Sequence, residues 1–111
     1  MQIIEYRGLK IELDDEGYLI NSDEWSEDVA NAIAEIEGIK ELTKDKMDII
    51  NFLREYYKKH NAFPSLKLVC RNVHQLGDCI SAKFGSPQKA WKIAGLPKLT
   101  GETLSYLLGG F

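Results

Sequence analysis

Apolar and polar residues alternate along the chain in two distinct rhythms. Leu9, Ile11 and Leu13 alternate with Lys10 and Glu12, a period of two that predicts a β-strand with one buried face. Ile3-Ile4-Glu5-Tyr6 precedes it across Arg7-Gly8, so the two segments read as a β-hairpin. Asp14-Asp15-Glu16-Gly17 reads as a turn, with Tyr18-Leu19-Ile20 adding a short third strand. A ribbon this small is marginal alone and requires helices to cover it.

The spacing then becomes helical. Asn21 or Ser22 is predicted to cap the first helix, with Asp23 and Glu24 in its first turn, where the helix dipole favours acids. Trp25, Val29, Ile33 and Ile36 make its buried stripe, and Gly38 ends it. Thr43 caps a second helix with Met47, Ile50, Leu53 and Tyr57 on its inner face, and Pro64 lies beyond its end. Three short helices follow. Ser65 caps the third, which turns Leu66, Val69 and Val73 inward; Gly77-Asp78 breaks the chain, and Asp78 caps a fourth through Phe84. The fifth carries Ser86 as cap, Pro87 at its first position, Trp91 and Ala94 on one face, Gly95 after its last turn and Pro97 as a stop. The predicted fold is mostly α, of the α+β class: an N-terminal hairpin on five helices, the last three forming a helix-turn-helix-like part.

Composition narrows the classes. With 111 residues, 44% apolar and 28% charged, the chain has the make-up of one globular domain rather than a disordered tail or a disulfide-rich mini-scaffold. No apolar run approaches a membrane span, so no membrane association is expected. No basic stretch followed by an apolar one opens the sequence, so the expected address is cytoplasmic, with Cys70 and Cys79 as reduced thiols.

Net charge is −3, but residues 1–57 carry six Lys/Arg against fifteen Asp/Glu, whereas residues 58–98 carry eight Lys/Arg against Asp78 alone. Lys67, Arg71, Lys83, Lys89, Lys92 and Lys98 are therefore the candidates for contacting a partner or an anion. The other reading of this charge is a solvated face that balances the acidic half.

Chemistry-bearing motifs are sparse. No Gly-x-Ser-x-Gly, phosphate loop or His-Glu-x-x-His occurs, so no catalytic residue, enzyme activity or cofactor is predicted. Cys70, His74, Cys79 and the upstream His60 are soft-ligand residues without a paired Cys-x-x-Cys knuckle, and no metal site is predicted. Cys79, at the start of the fourth helix where amides lower a thiol's pKa, is the candidate thiol, and Cys70 is expected to be buried. Whether the two lie within the ~7 Å (Cα to Cα) that pairing requires is left open by their spacing.

Several stretches together resemble the DsrC/TusE family, small proteins that work with dissimilatory sulfite reductase (as its gamma subunit) or in the sulfur relay to tRNA. They are Asp15-Glu16-Gly17-Tyr18-Leu19, Trp25 with Glu27 and Val29-Ala30, Glu37-Gly38-Ile39, Leu42-Thr43, the run from Asp48 to Tyr57, and Pro64. The most specific block is Lys92-Ile93-Ala94-Gly95-Leu96-Pro97-Lys98, followed by Thr100-Gly101. The resemblance covers residues 9–101 and implies a small ribbon on an orthogonal helical bundle, with sulfur chemistry in a flexible C-terminal arm. It also implies a cysteine just after the Thr-Gly pair and, in reductase-associated members, a second just before Lys-Ile-Ala-Gly. Those positions hold Glu102 and Trp91, and Leu99 stands where the family has proline.

The expected organisation is one domain over 1–101 and an arm over 102–111, made apolar by Leu104, Tyr106, Leu107 and Leu108 and loosened by Gly109-Gly110. A carboxylate and an indole form neither persulfide nor disulfide. The expectation is therefore a non-enzymatic docking or regulatory member, with a protein partner of the sulfite-reductase or sulfur-transfer class. The alternative is a nucleic-acid-binding regulator that uses the basic segment 58–98.

Overall fold

The computed structural model describes residues 1–60, 64–75 and 79–97. Strands β1 (Gln2–Tyr6) and β2 (Leu9–Leu13) pair antiparallel with Ile4 opposite Ile11. Arg7 and Gly8 link them with φ of 51° and 82°, the two left-handed positions of the tight turn that matches strand twist. The period-two pattern holds on β2 for Ile11 and Leu13, which are buried while Lys10 and Glu12 face solvent, but Leu9, next to the hairpin turn, is exposed. The third strand reduces to a single bridge between Leu13 and Leu19. The Asp14 carboxylate accepts from the amides of Glu16 and Tyr18, which folds the turn tightly, and Asn21 then diverts the chain.

That diversion corrects the predicted start of the first helix. Asn21 caps a single 3₁₀ turn over Ser22–Glu24, and the helix proper, α1 (Glu27–Ile36), begins after Ser26, whose hydroxyl accepts from the Val29 amide at 3.3 Å. Trp25 thus sits between the two turns rather than on the stripe of α1. Val29, Ala30, Ala32, Ile33 and Ala34 are buried, but Ile36 is half exposed because α1 ends there, beside β1 and beyond the core.

Helix α2 (Lys44–His60) starts at Thr43, whose carbonyl accepts from the Met47 amide and whose hydroxyl donates to Asp45. It buries Ile49, Ile50 and Leu53, with Met47 and Tyr57 at the margin of that face. Three short helices follow: α3 (Leu66–Asn72), α4 (Cys79–Phe84) and α5 (Pro87–Ile93). Ser65 and Ser86 cap α3 and α5 through their hydroxyls, as predicted, and Pro87 opens α5. The predicted break at Gly77-Asp78, with Asp78 as cap, lies outside the described residues.

Helix α5 touches α1, α2 and α4, so its apolar face is the centre of the core. Trp91, Ala90, Ile93 and Ala94 have no exposed surface, and Phe84 and Ile80 of α4 are equally sealed. The result is the predicted class: mostly helical, a two-stranded hairpin and five helices among the described residues.

Candidate functional site

Helix α3 places Cys70 two residues before its end, and Cys79 is the first residue of α4. Their Cα atoms are 5.8 Å apart and the side chains are joined as a disulfide, with no free cysteine left. The pair is 4% and 2% exposed, and the Cys79 amide donates to Cys70 Sγ at 3.2 Å. One expectation is corrected here: the two cysteines are joined to each other rather than present as reduced thiols, so Cys79 carries no free thiol in this structure. A spacing of nine residues gives no reading of spatial distance, and the folding of α4 back onto α3 is what closes it. The bond also removes both sulfurs from any ligand set with His60 and His74. Among the described residues no three His, Cys, Asp or Glu side chains cluster closely enough to hold a metal ion.

Trp91, at a position where the family resemblance implies cysteine, is fully buried in α5. Glu102, Lys98 and the whole arm over 102–111 lie outside the described residues.

The basic candidates do not form one bare face. Lys67 and Arg71 are exposed on α3. Lys83 is bound to Asp45 at 2.7 Å, and this pair, with help from Thr43, holds the Asp45 carboxyl well below its ordinary range. Lys92 reaches Glu37 at 3.7 Å and lies over the Tyr18 ring, with both charged side chains mostly covered. Lys89 is half-buried behind Gly85. Two of these five candidates are thus neutralised within the fold, whereas Lys67 and Arg71 are exposed.

The most built feature was not legible in the sequence. Helix α5 ends with carbonyls that lack partners within the helix. Two of them are claimed by side chains from elsewhere. The Trp25 indole N–H donates to the Ile93 carbonyl at 2.8 Å, and Arg54 of α2 donates to the Ala94 carbonyl at 2.8 Å. The Arg54 guanidinium in turn stacks on the Trp25 ring, 4.2 Å from its centroid. Burial lowers the pKa of Arg54 from its ordinary value, and the negative charge of Asp23 opposes that shift. Gly95 fits beneath this stack with φ of 69°, and a β-carbon there would lie 2.6 Å from Trp25 Cδ1. The contacts span 68 and 40 residues, so no local pattern announces them.

Beside this latch lies an open cleft of about 460 Å³, lined by Asp23, Asn51, Arg54, Lys58 and, on its apolar side, Leu96 and Pro97. Pro97, the last of the described residues, lies on its rim. The cleft presents Arg54 and Lys58 beside Asp23 and Glu55, so its polar surface carries both signs of charge.

Comparison with known proteins agrees with this architecture. A family model described as DsrC like protein matches residues 5–101. The gamma subunit of dissimilatory-type sulfite reductase from Nitratidesulfovibrio vulgaris is 35% identical over 103 residues, covering 91% of this chain and 98% of that one. A sulfurtransferase TusE homolog from Haemophilus influenzae is 34% identical over 105 residues, covering 86% and 95%. The crystal structure of the oxidized gamma subunit (DsrC) from Archaeoglobus fulgidus superposes with a TM-score of 0.78 at 33% identity, covering 90% of this chain and 98% of that one.

Proposed function

The chain belongs to the DsrC-like family, and from that premise we propose that it is a non-enzymatic docking or regulatory member that engages a sulfite-reductase or sulfur-transfer partner in the cytoplasm without carrying sulfur. One observation carries the reading: the only two cysteines of the chain are joined to each other and buried. A carrier needs an exposed thiolate to attack a persulfide and then present it. At the two positions where the resemblance implies cysteine, Trp91 and Glu102 supply no such group.

Chemistry at the pair supports the same reading. If the cysteines were reduced and one were loaded as a persulfide, its neighbour would sit within bonding reach of the inner sulfur. Attack there closes the disulfide and expels the outer sulfur as hydrosulfide, so the load is lost rather than relayed.

The surface assigned to docking is the cleft at Arg54 and Lys58, next to Pro97 where residues 98–111 begin. The basic residues give less support to the nucleic-acid reading, because Lys83 and Lys92 are already paired with Asp45 and Glu37.

The test uses the purified full chain, oxidised and reduced, treated with a small persulfide donor, alkylated and weighed intact. A parallel titration against purified sulfite reductase measures binding. The expected outcome is a complex with no sulfane sulfur retained in either state. Sulfane sulfur covalently held on Cys70 or Cys79 overturns the non-carrier reading.

A further inference from the structure

We propose that the Cys70–Cys79 pair is a thiol–disulfide exchange site, reduced by a dithiol and reoxidised by the corresponding disulfide, that sets how firmly the corner formed by α3 and α4 is held. The site is separate from the docking cleft and does not depend on it. Helices α3 and α4 have seven and six residues, too few to persist without outside support. Support comes from the apolar side chains Val69, Ile80 and Phe84, from the covalent bond, and from a polar tie on the first turn of α2. That tie is partly exposed: Lys83 meets the Asp45 carboxylate at 2.7 Å, and the Gln75 amide donates to the Asp45 carbonyl at 2.9 Å. Water competes for such contacts, so among the described residues the disulfide is the firmest tie on this corner beside its apolar packing.

The exchange has a defined direction. The Cys79 amide N–H points at Cys70 Sγ, and a hydrogen bond to that sulfur stabilises negative charge as it forms. The reductant's thiolate therefore attacks Cys79 Sγ. The S–S bond breaks, and Cys70 leaves as thiolate. The second thiol of the reductant then attacks the mixed disulfide, releasing Cys79 as thiolate and leaving the reductant as its own disulfide. Two electrons, and on protonation two protons, pass from the dithiol to the protein. Because both sulfurs are nearly sealed, the attack follows a local opening of the corner, and the bond in turn suppresses that opening.

The oxidised full chain is equilibrated in graded mixtures of reduced and oxidised dithiothreitol without denaturant. Samples are quenched in acid, labelled with N-ethylmaleimide and weighed intact, while amide hydrogen exchange is followed on the same samples. We expect a reversible product carrying two labels. Exchange in α3 and α4 should rise about tenfold or more while α1 and the centre of α2 stay protected, as expected for a sub-global opening. A Cys70→Ser/Cys79→Ser chain should reproduce the reduced pattern. Labelling only after denaturant is added, or equal protection in the oxidised, reduced and double-serine forms, overturns the proposal. No partner enters the assay, so its failure leaves the docking reading standing.

Discussion

Replacing Gly95 with alanine tests the latch at the end of α5 with a single methyl group. Two costs follow from the structure. The residue sits at φ of 69°, where a side chain costs about 1–2 kcal/mol. The new carbon would also lie 2.6 Å from Trp25 Cδ1 and 3.3 Å from Arg54 Nη1, so the indole must move. Moving it loosens the bond to the Ile93 carbonyl, about 0.5–1.5 kcal/mol, and the stacking with Arg54, about 0.5–1 kcal/mol at a half-open site. Together the loss is about 3 kcal/mol. At roughly 4 °C per kcal/mol for a chain of this length, the melting temperature should fall by about 12 °C.

Gly8→Ala supplies the control. It has a similar φ of 82° but nothing within 4 Å, so only the conformational cost of about 1–2 kcal/mol applies. Urea unfolding of both variants, with Gly95→Ala repeated in a Trp25→Ala background, isolates the steric part. In that background the Gly95 substitution should cost no more than the Gly8 one. Equal losses for the two glycine variants in the wild-type background, or an unchanged cost after Trp25 is removed, would refute the reasoning.

Other consequences are measurable. Opening the disulfide, by reduction or by the double serine variant, should lower stability by about 2–3 kcal/mol, as expected for a closed loop of ten residues, and chemical denaturation under matched redox conditions reads it. Trp91→Cys should cost about 3–5 kcal/mol because a fully buried indole is exchanged for a small side chain. The lowered pKa of Asp45, owed first to Lys83 and then to Thr43, means that the folded state favours the ionised form. Its stabilisation is full above the ordinary value of 3.8 and is lost as pH falls from there toward the folded value. The stability advantage of the native chain over Asp45→Asn should therefore shrink below about pH 4, and should also shrink with added salt at neutral pH.

What could be read from the sequence was mostly local. Ser86, Pro87 and Gly95 bound α5 correctly because a cap, a fixed φ and a left-handed exit all lie within one short segment. The hairpin was legible for the same reason. The start of α1 was misplaced because two capping residues stand in series, and Asn21 spends its side chain on a 3₁₀ turn before Ser26 caps the helix. Trp25 and Ile36 fit the helical spacing, yet one precedes α1 and the other projects beyond the core. The disulfide and the latch depend on distances between elements remote in sequence, and periodicity carries no such information. Charge patterning found the lysines but not their partners: Asp45 and Glu37 come from the acidic half of the chain and neutralise part of the basic one.

The way α5 ends has a mechanical consequence. A free helix terminus frays when its trailing chain is tugged, because its last carbonyls are held only by water. Here the Ile93 and Ala94 carbonyls are gripped by an indole and a guanidinium rooted in other elements. Tension applied at Pro97 would therefore run into α2 and the turn before α1 instead of unwinding α5. The described body would then resist the pull as one unit, with the core around Trp91 undisturbed.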